Sequence, residues 1–216
     1  MSINKSYAVF GLGRYGFAVA KELANNGIDV LAVDANESIV NSSISDIPFC
    51  KCADVTDAEV IKQLGIANVD VVVIAMANNL EASVMAIMLC KEVGVKMVIA
   101  KCANETHKKI LSKVGADKVV LPETESGTRL AKNLLSSGFV DVVELSNDIS
   151  LIEIEVKSEW IGKTLVELNL RKKYALNVIA IRQSDVLEIN IDPTTKLTQD
   201  MQLVVITKTS MMSKLK

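Results

Sequence analysis

Short apolar runs alternate with longer segments in which apolar residues recur every three or four positions. The runs are "YAVFGLG" (7–13), "DVLAVD" (29–34), "FCKCAD" (49–54), "VDVVVIAMA" (69–77), "KMVIAKC" (96–102) and "DKVVLP" (117–122), and they predict six strands. The intervening segments "RYGFAVAKELANNG" (14–27), "DAEVIKQLGI" (57–66), "NLEASVMAIMLCKEVG" (79–94) and "NETHKKILSKVGA" (104–116) predict helices. Segment 35–48 has no element assigned to it. Strand–helix alternation at this spacing builds a parallel sheet with helices on both faces. The fold class expected of this half is α/β, a doubly wound parallel Rossmann-like sheet.

The period changes after Pro122. A helix is expected from about 125 to 137, followed by strands at 140–146 and 150–157 and a short helix at 162–174. Three further strands are expected at 176–183, 185–192 and 202–208, which together make a small α+β module. The expected division is 1–122 for the nucleotide-type domain, 123–139 for a crossover helix and 140–216 for the C-terminal domain.

Composition narrows the function classes. Half of the 216 residues are hydrophobic but only 4% are aromatic, so Val, Ile, Leu and Ala must fill the core. The net charge is −2 with no basic block, so a nucleic-acid surface is not indicated. The longest apolar run, "VVVIAMA", is far shorter than a membrane span of roughly 20 residues. No signal peptide is legible at the start, and a soluble protein is expected.

The candidate chemistry begins at the first strand. Gly11, Gly13 and Gly16 form a complete GxGxxG between a strand and a helix. In this motif the first glycine permits a sharp turn, the second lets backbone approach a phosphate, and the third lets helix pack on strand. The helix N-terminus beyond it attracts anions. Asp34 closes the second strand 18 residues beyond Gly16, where an acid accepts hydrogen bonds from ribose hydroxyls and repels a 2′-phosphate. A tight βα turn with no ligand would need no such acid.

Ligands in doubly wound sheets sit outside the carboxyl ends of the strands, which brings Asp54, Ala75 to Asn78 and Lys101 toward the same crevice as Asp34. Plainer roles remain for each. Asp54 suits a helix N-cap, Asn78 and Asn79 suit a turn, and Lys101 suits a solvated charge.

Cys50, Cys52, Cys90 and Cys102 read as buried reduced thiols rather than a metal centre, because the lone His107 lies in the charged stretch "NETHKKI". His107 itself reads as a solvated helix position. No GxxxxGK[ST], GxSxG or HExxH occurs, and no catalytic acid or base stands out. An NAD(H)-dependent oxidoreductase would need one. An NADH-sensing transcriptional regulator would need a helix-turn-helix, which neither end supplies. A nucleotide domain joined to a small β module without chemistry suits a sensor.

With both halves read, the sequence resembles the cytoplasmic potassium-channel regulators built from RCK domains, of the KtrA/TrkA type. The segments that carry the likeness are "AVFGLGRYG", "VLAVDAN", "LGIANVDVVVIAM", "NLEAS", "GADKVVLPE" and "LNLRKKYALNVIAI", in the family's order and spacing. The resemblance implies a non-catalytic subunit that binds ATP or ADP, in some members NAD or NADH, in its N-terminal lobe. It implies a homodimer that assembles into an octameric ring. The ring docks on a membrane potassium-translocating subunit of KtrB/TrkH type at the cytoplasmic face and gates it.

Carried over residue by residue, Gly11, Gly13 and Gly16 become the phosphate turn, and Arg14 reaches the terminal phosphates. Asp34 holds the ribose, with Asp54 and Lys101 around the adenine and phosphate edges. Glu123 helps bind a cation, Mg or Na, beside the nucleotide at the dimer interface. In the C-terminal lobe the resemblance implies cyclic di-AMP as an effector, with Arg171 facing phosphate, Asn177 and Val178 contacting the base and Pro193 flanking it. Dimer packing alone is the competing role for that strip. The chain departs from the family pattern at Ala77 and Ala175, each of which stands where glycine is usual.

Overall fold

The computed structural model describes residues 5–135, 139–146, 148–184 and 186–211. The chain divides into two compact units, Met1–Pro122 and Glu123–Lys216.

The first unit runs β1 (Tyr7–Phe10), α1 (Arg14–Asn25), β2 (Val30–Asp34), α2 (Glu37–Ser43), β3 (Cys50–Cys52), α3 (Ala58–Gln63), β4 (Val71–Ile74), α4 (Leu80–Glu92), β5 (Met97–Lys101), α5 (Glu105–Val114) and β6 (Lys118–Val120). The six strands form one parallel sheet in the order β3-β2-β1-β4-β5-β6. Chain order therefore reverses between β1 and β4, and the crevice of a doubly wound sheet opens at that switch point.

Alternation along each strand fills two core layers. Val9, Ala32 and Val73 pack with Ala20 of α1 and with Ile47 on one face. Ala8, Phe10, Val72 and Ile74 pack with Ile61, Ile87 and Leu111 of α3, α4 and α5 on the other. Each Val, Ile, Leu or Phe buried in these layers contributes roughly 1.5–3 kcal/mol, and each Ala less.

The start of β1 is clipped to the start of β4. Asp70 Oδ2 accepts hydrogen bonds from the Ser6 backbone N–H and hydroxyl, both at 3.1 Å, and Asp70 Oδ1 accepts one from Lys96 at 2.7 Å. The lysine first, then Ser6, hold the Asp70 carboxyl down to about 2. A carboxyl depressed by folding contributes stability that is complete above its unfolded pKa, about 3.9, and is lost as pH falls through the folded value. Asp70→Asn is therefore expected to lower the unfolding midpoint at pH 6, with the gap to wild type closing between about pH 4 and pH 2, as read by thermal melts across that range.

Three local expectations change. Segment 35–48 contains α2, capped by Asn36 accepting from the Ser38 N–H. Its sequence "ESIVNSS" is too polar and β-branched to advertise a helix. Cys50 is only half-buried and Cys52 is exposed, because β3 is the edge strand, whereas Cys90 and Cys102 are buried as expected. His107 is half-buried rather than solvated, and its Nδ1 is enclosed without a hydrogen-bond partner.

Helix α6 (Pro122–Leu135), whose residues from Glu123 on belong to the second unit, starts earlier than expected because Pro suits the first helical position. The second unit continues β7 (Phe139–Glu144), β8 (Ile149–Glu155), α7 (Leu165–Leu168), α8 (Leu170–Tyr174), β9 (Asn177–Gln183), β10 (Val186–Glu188) and β11 (Met201–Lys208). These strands form an antiparallel sheet in the order β10-β9-β11-β8-β7. Trp160, Leu168, Leu170 and Leu176 pack on its Ile152, Leu203 and Val205 face.

The single helix expected at 162–174 is two short ones. A capping box between Thr164 and Glu167 starts α7, and Asn169 at φ 47° breaks the run. Ala175 at φ 56° ends α8 in the left-handed region, where a Cβ is unfavourable. Ala175 is exposed, so truncation loses no packing. Ala175→Gly is expected to stabilise the chain by about 1 kcal/mol, measured as a raised denaturant midpoint with an unchanged slope.

Candidate functional site

The glycine turn occupies the switch point. Gly11 adopts φ +88°, and its amide donates to the Val33 carbonyl at 2.8 Å. A Cβ at Gly11 would stand 2.8 Å from Met76 Cγ and 3.3 Å from the Ala75 carbonyl carbon. At Gly16 it would stand 1.9 Å from the Gly11 carbonyl oxygen. The chain's own packing thus requires both of these glycines. Gly13 differs: its φ is an ordinary −62°, and a Cβ there would meet nothing within 4 Å. Space above Gly13, at the mouth of a helix, is what close approach of a phosphate needs.

The helix ends make the same distinction. Asn36, Asp57, Asn79 and Asn104 each accept a backbone N–H at the start of α2, α3, α4 and α5, and each of those helices has a glutamate in its first turn. Helix α1 begins at Gly13 with no side-chain cap and no acid in its first turn, and Arg14, which is exposed, occupies the first helical position. A cation there opposes the helix dipole, and an anion would offset that repulsion.

Asp34 ends β2 beside this turn. Its Oδ2 accepts from the Leu12 N–H at 2.7 Å and its Oδ1 from the Asn36 N–H at 2.8 Å. The carboxylate is therefore fixed between the glycine loop and the start of α2, and each oxygen retains a further lone pair for a hydroxyl. Ala75 follows β4 directly, its amide bonded to the Phe10 carbonyl at 2.7 Å, so it borders the turn from the opposite side. Ala77, where glycine is usual, is buried.

Asp54 is exposed and accepts from the Thr56 N–H at 2.9 Å and hydroxyl at 2.7 Å, contacts that hold its carboxyl below the usual range. It shapes the loop after β3, whereas the cap of α3 is Asp57. Lys101 ends β5 half-buried, with its Nζ 5.4 Å from the Tyr15 ring centroid. The sheet thus brings Gly11, Gly13, Arg14, Gly16, Asp34, Asp54, Ala75 and Lys101 to one edge, the carboxyl ends of its strands.

In the second unit a hollow of about 270 Å³ lies between the broken helix and β9, lined by Leu165, Asn169, Arg171, Leu176, Asn177 and Val178 among others. Helix α8 brings Arg171 to its lining, also carries Lys172 and Lys173, and has no acid in its first turn. Pro193 does not line this hollow, although its carbonyl accepts the Val166 N–H at 3.3 Å. A larger hollow of about 410 Å³, which the sequence did not announce, sits under the β9–β10 hairpin beside Ile181, Val186 and Asp192. Glu123 is exposed in the first turn of α6, and among the described residues no three His, Cys, Asp or Glu side chains cluster as a metal site.

Residues 7–122 match the TrkA-N domain and residues 149–216 the TrkA-C domain. The chain is 37% identical over 204 residues to Ktr system potassium uptake protein C of Bacillus subtilis (strain 168), covering 94% of this chain and 92% of that protein. The chain belongs to the TrkA-N/TrkA-C family of Ktr potassium uptake proteins. Ktr system potassium uptake protein A of the same organism is 35% identical over 179 residues, covering 83% of this chain and 81% of the relative.

Solved structures show the same fold for this Ktr family member. The GsuK RCK domain superposes with a TM-score of 0.64 at 19% identity over 99% of this chain and 47% of the other. The GsuK channel bound to NAD gives 0.66 at 18% identity, again over 99% of this chain but 39% of the longer one. The Ktr-family chain thus spans less than half the length of those structures. Among its described residues, no helix is long and apolar enough to cross a membrane.

Proposed function

We propose that this Ktr-family chain is a non-catalytic, cytoplasmic gating subunit of a potassium uptake system, acting at the inner face of the membrane on a KtrB/TrkH-type translocating subunit. The N-terminal unit binds ATP or ADP. The observation that carries this reading is the pairing of an uncapped helix over an open Gly13 with the fixed carboxylate of Asp34. Phosphates would lie on the α1 amides and Arg14, and ribose hydroxyls would donate to Asp34. The names of the Ktr relatives support potassium transport as the process served.

In the C-terminal unit Arg171 of α8, lining the 270 Å³ hollow, supports cyclic di-AMP as an effector, its phosphates near Arg171 and its base near Asn177 and Val178. Glu123 would contribute to a Mg or Na ion beside the nucleotide once a homodimer forms, and dimers would assemble into an octameric ring. Gating follows only from differential binding: a tenfold preference of ATP for one ring state over the other shifts their balance by about 1.4 kcal/mol, whereas equal binding shifts nothing.

Titration calorimetry of the purified chain against ATP, ADP, NADH and cyclic di-AMP tests the reading. Saturable binding of ATP and ADP, with cyclic di-AMP at an independent site, is expected. Binding of NADH alone would replace it with a redox sensor or an NAD(H)-dependent enzyme.

A further inference from the structure

The ring of Tyr15 stands between two parts of the candidate nucleotide site. Tyr15 occupies the second variable position of the Gly13–Gly16 interval and lies in the first turn of α1. It is half-buried, and the Lys101 ammonium lies 5.4 Å from its ring centroid, within the range of a cation–π contact.

The strand order places this contact. In the sheet β3-β2-β1-β4-β5-β6, Asp34 is one strand to one side of the glycine turn, and Lys101 is two strands to the other. Two strand spacings are about 9.6 Å. A nucleotide whose ribose donates to Asp34 and whose phosphates cross the α1 N-terminus extends its far end toward β4 and β5. Lys101 is thereby on the terminal-phosphate side, remote from adenine. A lysine has a long stem with several rotatable bonds, so contacts that restrict it lower the cost of placing its charge. The aromatic face, fixed on the first turn of α1, is one such contact.

We infer that Tyr15 is a positioning residue that holds the Lys101 ammonium toward the terminal phosphate of a bound nucleotide, and so sets the preference for longer phosphate chains. This rests on the nucleotide-binding reading above and adds to it a residue that touches the lysine. The aromatic face, which Phe shares, does the holding.

The test is a double-mutant cycle on the full chain. ATP, ADP and adenosine are titrated against wild type, Tyr15→Phe, Tyr15→Leu, Lys101→Met and the Tyr15→Leu/Lys101→Met double variant, with melting curves alongside. Tyr15→Phe is expected to bind ATP within about twofold of wild type. Tyr15→Leu is expected to lose on the order of fivefold for ATP and nothing for adenosine. The double variant is expected to match Lys101→Met alone. Equal losses for ATP and adenosine in Tyr15→Leu, or additive losses in the double variant, would overturn the inference while leaving nucleotide binding intact. Should Tyr15→Leu fail to fold, a loss in Tyr15→Phe equal to that in Lys101→Met would overturn it too. No ATP binding by wild type would overturn the functional reading and the inference together.

Discussion

Gly16→Ala is expected to unfold or severely weaken the N-terminal unit, whereas Gly13→Ala, three residues away, is expected to leave it folded and abolish nucleotide binding. The new methyl at position 16 would sit 1.9 Å from the Gly11 carbonyl oxygen. That oxygen belongs to backbone that is itself fixed, since the Gly11 amide bonds to Val33 and a Cβ there has no room. Helix α1 must then back away from β1, opening the layer of Val9, Ala20 and Ala32. Overpacking of this kind costs about 3 kcal/mol or more, which corresponds to a fall in Tm on the order of 10 °C. At Gly13 the backbone is at φ −62° and a methyl meets nothing. The Tm of Gly13→Ala should stay within a few degrees of wild type. Its nucleotide affinity should fall below detection, because the methyl fills the place a phosphate needs. Paired melting curves and ATP titrations read both effects. Equal loss of stability in the two variants would mean that the glycines serve only a tight turn.

Asp34→Asn is expected to weaken ATP and ADP binding by about thirtyfold at a small cost in stability. The amide keeps the shape of the carboxylate and one acceptor oxygen, so one of the bonds to the Leu12 and Asn36 amides survives. One ribose hydroxyl then donates to a neutral acceptor instead of a charged one and the other faces an NH2 that cannot accept, a combined loss of about 2 kcal/mol, which is the thirtyfold. Calorimetry with ATP and ADP measures it. The change should be the same for both nucleotides, because each has the same ribose and only the phosphate chain differs. A smaller loss for ATP than for ADP, the sign expected when a carboxylate no longer repels the longer phosphate chain, would place Asp34 near the phosphates and contradict the assigned orientation.

The six-stranded sheet was legible in the sequence because its central parallel strands are buried on both faces and so are continuous apolar runs, as in "VVVI" of β4. The glycine turn and Asp34 were legible because their roles are local, set by spacing along the chain. What was not legible depended on neighbours. Helix α2 has little periodicity, and only Asn36 at its start betrays it. The edge position that exposes Cys52 is a property of strand order. The break at Asn169, which divides α7 from α8 and opens the hollow beside Arg171, is a left-handed residue in a stretch whose composition suits one continuous helix. The contact between Tyr15 and Lys101 joins positions 86 apart, and no pattern along the chain pairs them.

The central claim is that nucleotide identity in the N-terminal unit controls potassium movement. The most direct measurement is potassium flux into proteoliposomes that hold a KtrB-type translocating subunit with this chain bound, in saturating ATP and then in saturating ADP. The account requires flux to differ several-fold between the two nucleotides with wild type and not to differ with Gly13→Ala. Equal flux in ATP and ADP with wild type, at nucleotide concentrations shown to saturate binding, would contradict it.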